Sequence, residues 1–284
     1  SGGSQIAEDG SSGMKTITIA NHKGGCAKTT TALNLAVALA YKGARVLAVD
    51  LDLQGNLSAA LGADLEELET TRHTVHRLMI DHTADYSQYM IRTHRPRLDL
   101  LPASLDSEVG PALDSLVVSR ELRLKEKLSP AMSHYDYCVI DTPPALNVPT
   151  LNGLVMADMV IIPIETSLFA LLGLKDLLRT IAQVRQAHAP DQFVMALSTI
   201  HSSRQNLDKT VRQKVVEKFT EEFVFETAIP RLISVGEATA GKQAIVEAEP
   251  SNAATFAFYK LIAEIKELLG DEEEAKAGNR RRAQ

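Results

Sequence analysis

Short apolar runs alternate with longer stretches of helical character along most of the chain. The apolar runs lie at residues 15–20, 45–50, 135–141, 159–164 and 193–200. Because each run is apolar almost without interruption, it indicates a strand that is buried on both faces. Strands of this kind, when they alternate with helices, are typical of a parallel sheet with helices on both faces. The pattern therefore predicts a doubly wound α/β fold.

The remaining segments carry a weaker pattern. Apolar residues recur at helical spacing in residues 31–41, 65–68, 75–80, 113–128, 206–219 and 256–269, and a further strand is predicted at 97–101. The last helix has a broad apolar side, and we expect it to pack on the domain. A single domain is expected at residues 14–270, between a disordered polar leader at 1–13 and a disordered charged tail at 271–284.

The segment NHKGGCAKTT, at residues 21–30, follows the first strand and precedes a helix, as a phosphate-binding loop does. Gly24 and Gly25 allow the backbone to approach phosphate oxygens, and the start of the helix adds partial positive charge. We expect Lys28 to neutralise the β- and γ-phosphates and Thr29 to offer its hydroxyl to Mg²⁺. The residues expected to contact the nucleotide are Lys23, Gly24, Gly25, Cys26, Ala27, Lys28, Thr29 and Thr30.

This loop departs from the common motif GxxxxGK[ST], because His22 and Ala27 stand at the two glycine positions. It satisfies instead the form KGGxxK[ST], with Lys23 five positions before Lys28. In this respect the chain resembles the ParA/MinD family of deviant Walker ATPases, which are P-loop proteins. The resemblance implies that the cofactors are ATP and Mg²⁺ and that hydrolysis is slow. It also implies an ATP sandwich homodimer, in which Lys23 reaches the nucleotide of the partner subunit.

Two further strands are followed by candidate carboxylates. Asp141 ends an apolar strand and precedes Thr-Pro-Pro, so it has the form of a Walker B acid that binds Mg²⁺. Asp52 matches the family's first-switch aspartate, which the resemblance implies positions or activates the attacking water. A carboxylate of ordinary pKa is a weak base at neutral pH, which favours positioning. The family commonly has proline where this chain has Leu53, and Asp50 remains an alternative to Asp52.

The segment AIPR at residues 228–231, followed by GEA at 236–238, is similar to the family segment that closes over adenine. Pro230, with its apolar neighbours, would form a flat wall against the base. Leu232 stands where the family often has an asparagine that recognises the ring. Adenine specificity is thus an implication of the resemblance.

Cysteines and histidines give no sequence pattern for a metal site beyond Mg²⁺. Cys26 and Cys138 lie far apart, without metal-ligand spacing. Cys26 lies near a helix start, which can lower a thiol pKa and favour oxidation, although a tolerated loop position is the favoured interpretation. The histidines without compact ligand spacing, expected at the surface, are His73, His76, His82, His94 and His134.

The net charge of −6 does not favour a uniformly basic surface, but nucleic-acid binding depends on local patches. Cations gather in and after the loop at residues 202–206. Arg204 matches a family arginine that the resemblance implicates in non-specific DNA binding. The candidate DNA-binding residues are Arg204, Arg212, Lys214 and Arg231. A solvated charged helix is the competing interpretation.

The resemblance implies an ATPase that positions or segregates a cargo, such as a plasmid, a chromosome, a carboxysome or another protein assembly. Its expected partners are a second copy of the chain, non-specific DNA, and a ParB-like or cargo-adaptor protein that stimulates hydrolysis. We expect it in the cytoplasm, associated with the nucleoid and not with membrane. The alternative is a MinD-like membrane-associated ATPase, which the acidic last helix disfavours. Metabolic enzymes with this loop are disfavoured because the sequence has neither cluster-ligating cysteines nor a recognisable second substrate pocket.

Overall fold

The computed structural model describes residues 13–165, 174–201, 223–230 and 233–270. Its strands are β1 Lys15–Ile19, β2 Val46–Asp50, β3 Ile91–Arg92, β4 Leu98–Leu101, β5 Tyr137–Asp141, β6 Met159–Glu165, β7 Phe193–His201 and β8 Val224–Pro230. They form one sheet in the order β3-β4-β2-β5-β1-β6-β7-β8. Neighbouring strands are parallel, except that β3 pairs antiparallel with β4 at the edge. This topology confirms the predicted doubly wound sheet.

The helices connect the strands on both sides of the sheet. They are α1 Lys28–Tyr41, α2 Asn56–Ala60, α3 Leu65–Thr71, α4 Val75–Ile80, α5 Val109–Asp114, α6 Arg123–Leu128, α7 Val148–Met156, α8 Leu174–Ala187, α9 Ile233–Ala240, α10 Ile245–Ala248 and α11 Ala253–Leu268. Two short 3-10 turns lie at Tyr86–Gln88 and Ser129–Ser133. Since consecutive side chains of a strand point to opposite faces, each apolar strand contributes to two cores.

The first core lies between one face of the sheet and helices α1 and α11. Along β5, Val139 faces this core, whereas Cys138 and Ile140 face a second core beneath α4, α5 and α6. A third cluster joins β6 and β7 to α7 and α8. The near-continuous apolar runs that predicted buried strands thus reflect burial on both faces.

One prediction for the secondary structure is wrong, and two strands were not predicted. The helical prediction for residues 113–128 is wrong, because α5 ends at Asp114 and α6 begins at Arg123. The intervening Val117 and Val118 are 93% and 78% exposed, and Ser119 has a positive φ of 49°. Apolar spacing alone therefore misassigned solvent-facing residues. The edge strand β3 and the strand β8 were not predicted as strands.

The prediction that the last helix packs on the domain is confirmed. Phe258, Leu261 and Ile265 of α11 are fully buried in the first core, against α1 and β8. Phe256, predicted for the same apolar side, is instead 59% exposed. In the part of the chain that the structure describes, no helix is long and apolar enough to cross a bilayer.

Candidate functional site

Three strand ends meet at one edge of the sheet. Ile19 at the end of β1 lies beside Asp141 at the end of β5, and Asp141 in turn lies beside Asp50 at the end of β2. Because ligands bind at the carboxyl ends of parallel strands, this edge is the candidate site. The phosphate loop and the two carboxylate-bearing strand ends therefore lie at the same edge.

The phosphate loop, residues 21–30, bends sharply before α1. Gly25 and Ala27 adopt left-handed backbone conformations, with φ of 73° and 68°. For Ala27 this conformation carries a steric cost, since its Cβ crowds the backbone where glycine would not. Ala27 precedes Lys28 and has no side-chain oxygen that could cap the helix. The first N–H groups of α1 are thus directed toward the loop, as an anion site requires.

The two lysines of the loop have different surroundings. The Nζ of Lys28 lies inside the loop, 3.1 Å from the carbonyl oxygen of Lys23. The Nζ of Lys23 pairs with Oε2 of Glu165, the last residue of β6, at 2.9 Å. The geometry therefore separates an inward lysine near the anion site from a second lysine at the rim.

Cys26 is a buried part of this loop. Its Sγ donates to the carbonyl of Lys23 at 3.1 Å, and its own carbonyl accepts from the hydroxyl of Thr199 in β7 at 3.1 Å. Burial raises the pKa of the Cys26 thiol, even though Lys28 lies nearby. Burial therefore favours the interpretation of Cys26 as a tolerated loop position over that of a readily oxidised thiol.

Thr29 and Asp141 form the pair expected at a Mg²⁺ site. The hydroxyl of Thr29 donates to Oδ2 of Asp141 at 2.6 Å. The other oxygen, Oδ1, is buried and has no hydrogen-bond partner among the described residues. Burial, together with the neighbouring Asp50, raises the pKa of Asp141 well above its usual range. A hydroxyl and an unpartnered carboxylate oxygen fit a hard divalent cation, which would offset the cost of burying the charge.

Asp50 and Asp52 have different positions in the site. Asp50 is fully buried, and its oxygens accept from the backbone N–H of Asp52 and from both the N–H and hydroxyl of Ser58. Burial raises the pKa of Asp50 to about 6. Asp52 is partly exposed, and its Oδ1 accepts from the N–H of Gln54 at 3.1 Å. Asp52 is therefore the carboxylate that a bound molecule can reach, and Asp50 is a buried support.

His76 is a buried residue beneath this loop, and the prediction that it lies at the surface is wrong. Its Nε2 is 3.1 Å from the carbonyl of Leu51, and its Nδ1 is 3.2 Å from the N–H of Ser104. Sequence reasoning missed it, although His76 shares a helix side with the apolar Met79 and Ile80 in α4. The other four histidines of that set are exposed, as predicted: His73, His82, His94 and His134.

A cleft of about 360 Å³ opens beside the phosphate loop. Pro230, Ile229 and Val235 form an apolar side, and Gly25 and Thr30 of the loop form the opposite side. Such a cleft suits a flat aromatic base whose attached phosphates extend to the loop. Pro230, predicted to face the base, lines this cleft. It is the last residue of β8.

The predicted DNA-binding residues Arg204, Arg212, Lys214 and Arg231 lie outside the described residues, as do residues 1–12 of the leader, the charged tail and Leu232. Ser234, in α9, accepts a hydrogen bond from the side chain of Asn252. Within the described ranges, no three side chains of histidine, cysteine, aspartate or glutamate gather as a metal-binding group.

The fold and the loop define a P-loop ATPase with a deviant Walker motif. The family model described as an AAA domain matches residues 14–194. The chain is 36% identical to the sporulation initiation inhibitor protein Soj of Bacillus subtilis over 254 residues, which cover 88% of this chain and 98% of Soj. It is 35% identical to the chromosome partitioning protein ParA of Caulobacter vibrioides over 255 residues, 89% of this chain and 94% of ParA. The chain belongs to the ParA/MinD family of ATPases.

A similar solved structure is named cobyrinic acid a,c-diamide synthase, from Mycobacterium smegmatis, with a bound ATP analogue and magnesium. It is 35% identical to this chain and superposes with a TM-score of 0.71, covering 83% of this chain and 93% of its own. The likeness in sequence and fold therefore extends to a protein with a biosynthetic name. Fold and loop alone do not separate partition from amide synthesis.

Proposed function

We propose that this protein is an ATP-hydrolysing switch that positions or segregates a cargo, with ATP and Mg²⁺ as cofactors. The observation that carries the proposal is the pair of lysines in the phosphate loop, with Lys28 inside the loop and Lys23 at its rim. An ordinary ATPase needs only the inner lysine. A lysine at the rim can contact a nucleotide held by a second subunit, so it can couple nucleotide binding to dimerisation.

In this proposal, Lys28 and the N–H groups at the start of α1 hold the β- and γ-phosphates, and the base lies against Pro230. Thr29 and Asp141 hold Mg²⁺, which when bound neutralises charge that develops on the phosphates. The buried and unpartnered Oδ1 of Asp141 supports this assignment. The remaining loop residues Gly24, Gly25, Cys26, Ala27 and Thr30 contribute backbone contacts.

Asp52 orients the attacking water in this scheme. It is the partly exposed carboxylate that follows β2, at the edge of the sheet where β1 also ends, whereas Asp50 is buried and already bonded to Ser58. Hydrolysis therefore depends on where the loop holds Asp52 more than on the basicity of that carboxylate.

We further propose that the ATP-bound dimer binds DNA without sequence specificity, through Arg204, Arg212, Lys214 and Arg231, and so associates with the nucleoid. A ParB-like or adaptor protein on the cargo stimulates hydrolysis and releases the dimer. The name of the chromosome partitioning protein ParA, which is 35% identical to this chain, supports a role in partition. Because the dimer closes before it binds DNA, the affinity for DNA should depend on the bound nucleotide. Because the contacts are made to DNA phosphates, this affinity should also fall as the salt concentration rises.

The experiment that tests this function compares Lys23→Ala and Asp52→Ala with the unmodified chain. Size-exclusion chromatography with light scattering measures dimerisation with and without ATP and Mg²⁺, and filter binding measures DNA affinity. Lys23→Ala should leave nucleotide affinity intact but abolish the ATP-dependent dimer and its DNA binding. Asp52→Ala should accumulate the dimer because hydrolysis no longer releases it. Normal dimerisation of Lys23→Ala would refute the proposal.

The biosynthetic name of the similar structure from M. smegmatis supports a second candidate function, which is ATP-dependent amidation of a small carboxylic acid. The two functions differ in what accompanies ADP. A switch forms only phosphate and ADP, whereas an amidating enzyme consumes ammonia or glutamine and forms an amide. Mass spectrometry of reactions with cobyrinic acid, a nitrogen donor and ATP distinguishes them, and a stoichiometric amide product would favour the enzyme.

A further inference from the structure

The peptide bond between Leu51 and Asp52 is held at both of its polar groups. The N–H of Asp52 donates to Oδ1 of Asp50 at 3.1 Å, and the carbonyl of Leu51 lies 3.1 Å from Nε2 of His76. The N–H of Leu51 donates to the carbonyl of Asp141 at 3.0 Å. Three hydrogen bonds thus fix the backbone immediately before the Cα of Asp52.

The hydrogen-bond partners of His76 determine which of its nitrogens carries the proton. A backbone carbonyl only accepts, so Nε2 must carry the hydrogen that it donates to Leu51. A backbone N–H only donates, so Nδ1 must be the bare nitrogen that accepts from Ser104. His76 is fully buried and held as one neutral tautomer. Its ring therefore bridges the loop of Asp52 and the segment that follows β4.

The residues on both sides of the His76 ring are themselves held by hydrogen bonds. The N–H of Val75, the residue before His76, donates to the carbonyl of Pro102 at 2.8 Å. Ser58 makes a second connection between the Asp52 loop and the segment that follows β4. Its hydroxyl donates to Asp50 and accepts from the N–H of Ala103. The start of α4 and the segment at residues 102–104 thus form one hydrogen-bonded support beneath the Asp52 loop.

We propose that His76 is a positioning residue for ATP hydrolysis, which holds the peptide plane of residues 51 and 52 so that Asp52 faces the phosphate site. The proposal rests on the role of Asp52 given above. Without the Nε2 donor, the buried carbonyl of Leu51 has no partner, and the peptide can rotate to find one. Rotation of that plane redirects the Cα–Cβ bond of Asp52, whereas the phosphate loop is unaffected.

Two substitutions separate the two hydrogen bonds of His76. The amide of glutamine reaches as far as Nε2, so His76→Gln can still donate to Leu51 but loses the bond to Ser104. The amide of asparagine reaches only as far as Nδ1, so His76→Asn can accept from Ser104 but leaves the Leu51 carbonyl unpaired. We expect His76→Asn to lower kcat about tenfold and His76→Gln to lower it about two- to threefold, with KM within about twofold in both.

The measurement is single-turnover hydrolysis of radiolabelled ATP with protein in excess, with nucleotide affinity determined from a fluorescent ADP analogue. Leu78→Ala is the control for lost stability, because Leu78 is fully buried in the same helix but belongs to the apolar core beneath α4. It should lower the melting temperature without changing kcat. If kcat in the two His76 variants merely followed their melting temperatures, or if the asparagine variant kept its rate, the proposal would be wrong.

Two further readouts keep the test decisive. Should both variants unfold, nitrogen-15 NMR of the unmodified protein still reports the ring of His76, and any state other than the neutral Nε2–H tautomer overturns the proposal. Asp52→Ala distinguishes failure of the role proposed for Asp52 from failure of the role proposed for His76. If it hydrolyses ATP normally, the proposed role of Asp52 fails and the role of His76 fails with it. If it is inactive while His76→Asn retains its full rate, only the role of His76 fails.

Discussion

Two loops form the candidate site, and they are held in place by different means. The phosphate loop, residues 21–30, contains bonds between residues two to five positions apart, such as Lys23 to Asn21 and Lys28 to Lys23, in addition to distant ones such as Thr199 to Cys26. The Asp52 loop, residues 50–58, depends on buried groups far away in sequence, since His76 lies 25 positions from Leu51 and Ala103 lies 45 positions from Ser58. The first loop can therefore be recognised as a motif, whereas the second depends on the rest of the fold.

The contrast predicts that substitutions in the phosphate loop change nucleotide binding and that substitutions beneath the Asp52 loop change hydrolysis. The largest effect is expected for Lys28→Ala, which removes the charged donor inside the phosphate loop. Loss of a charge-assisted contact of about 2–3 kcal/mol should weaken ATP binding about a hundredfold. Isothermal titration calorimetry with ATP and Mg²⁺ measures it.

Lys42→Ala is the matched control, because Lys42 follows the opposite end of the same helix and is exposed. Its ammonium lies 4.5 Å from the ring centroid of Tyr259, far from the site in sequence. It should bind ATP within about twofold of the unmodified protein, since an exposed cation–π contact is worth about 0.5–1 kcal/mol to the fold. An equal loss of ATP affinity in both lysine variants would contradict the assignment of Lys28 to nucleotide binding.

Ser58→Ala should have the next largest effect. It leaves the buried carboxylate of Asp50 with one donor fewer and the N–H of Ala103 without its acceptor, at a cost of about 2–3 kcal/mol in the free energy of unfolding. Because Asp50 also holds the N–H of Asp52, kcat should fall more than ATP affinity does. Urea denaturation and steady-state kinetics measure the two quantities.

Ser115→Ala provides the control for this substitution. Ser115 is exposed, and its hydroxyl donates to the carbonyl of Ala112 at 2.7 Å. Its loss should change stability by less than about 0.5 kcal/mol and leave hydrolysis unaltered. If Ser58→Ala weakened ATP binding as strongly as it slowed hydrolysis, the Asp52 loop would belong functionally to the phosphate loop.

The same contrast explains how much of the molecule could be predicted from its sequence. The parallel strands were recognisable because burial on both faces leaves an almost unbroken apolar run, as in β5. The phosphate loop was recognisable because its glycines and lysines are neighbours in sequence. Strand β8 was missed because its burial is interrupted by the exposed Glu226 and the partly exposed Ala228, and it pairs with β7 through register shifts.

The support of the Asp52 loop was missed for a different reason. A histidine in a helical pattern is equally compatible with exposure and burial, and only the pairing of β4 beside β2 brings Ser104 to the ring of His76. The exposure of Val117 and Val118 is likewise decided by the elements around them and not by their own apolar character. Long-range packing therefore determines what local patterns leave open.

Acidification should weaken the support of the Asp52 loop. Burial lowers the pKa of His76 to about 4, below the value near 6.5 expected for an exposed imidazole. Since the unfolded chain then binds the proton more readily, the stability due to neutral His76 is complete above pH 6.5 and is lost as the pH falls to about 4. The difference in unfolding free energy between the unmodified protein and His76→Gln should shrink by about 3 kcal/mol across this window.

Urea denaturation at several pH values measures this difference. Comparison with His76→Gln is needed because the pKa of Asp50 is raised, so its contribution has the opposite sign: as the pH falls from about 6 toward 4, the folded state gains stability from that carboxylate. Subtracting the variant leaves the contribution of the histidine. A constant difference would mean that the pKa of His76 is the same in the folded and the unfolded chain, so that burial does not lower it.

The smallest effect is expected at the rim of the phosphate loop. Glu165 pairs with Lys23 at 2.9 Å, and the two side chains are 29% and 36% exposed, so the pair contributes less than about 1 kcal/mol. If Lys23 must leave Glu165 to reach a second subunit, Glu165→Gln should allow the dimer to form at about two- to threefold lower protein concentration in the presence of ATP. Analytical ultracentrifugation measures the dissociation constant of the dimer.

Asp176→Asn is the matched control, because Asp176 forms an exposed pair with Arg179 on α8. It should leave the dissociation constant unchanged. A weaker dimer in Glu165→Gln would reverse the interpretation of the rim, since Glu165 would then stabilise the closed dimer instead of holding Lys23 back. In either case, an effect on dimerisation without an effect on ATP affinity would assign Lys23 to contact with the partner subunit. Lys28 would then be the lysine that binds the nucleotide within its own subunit.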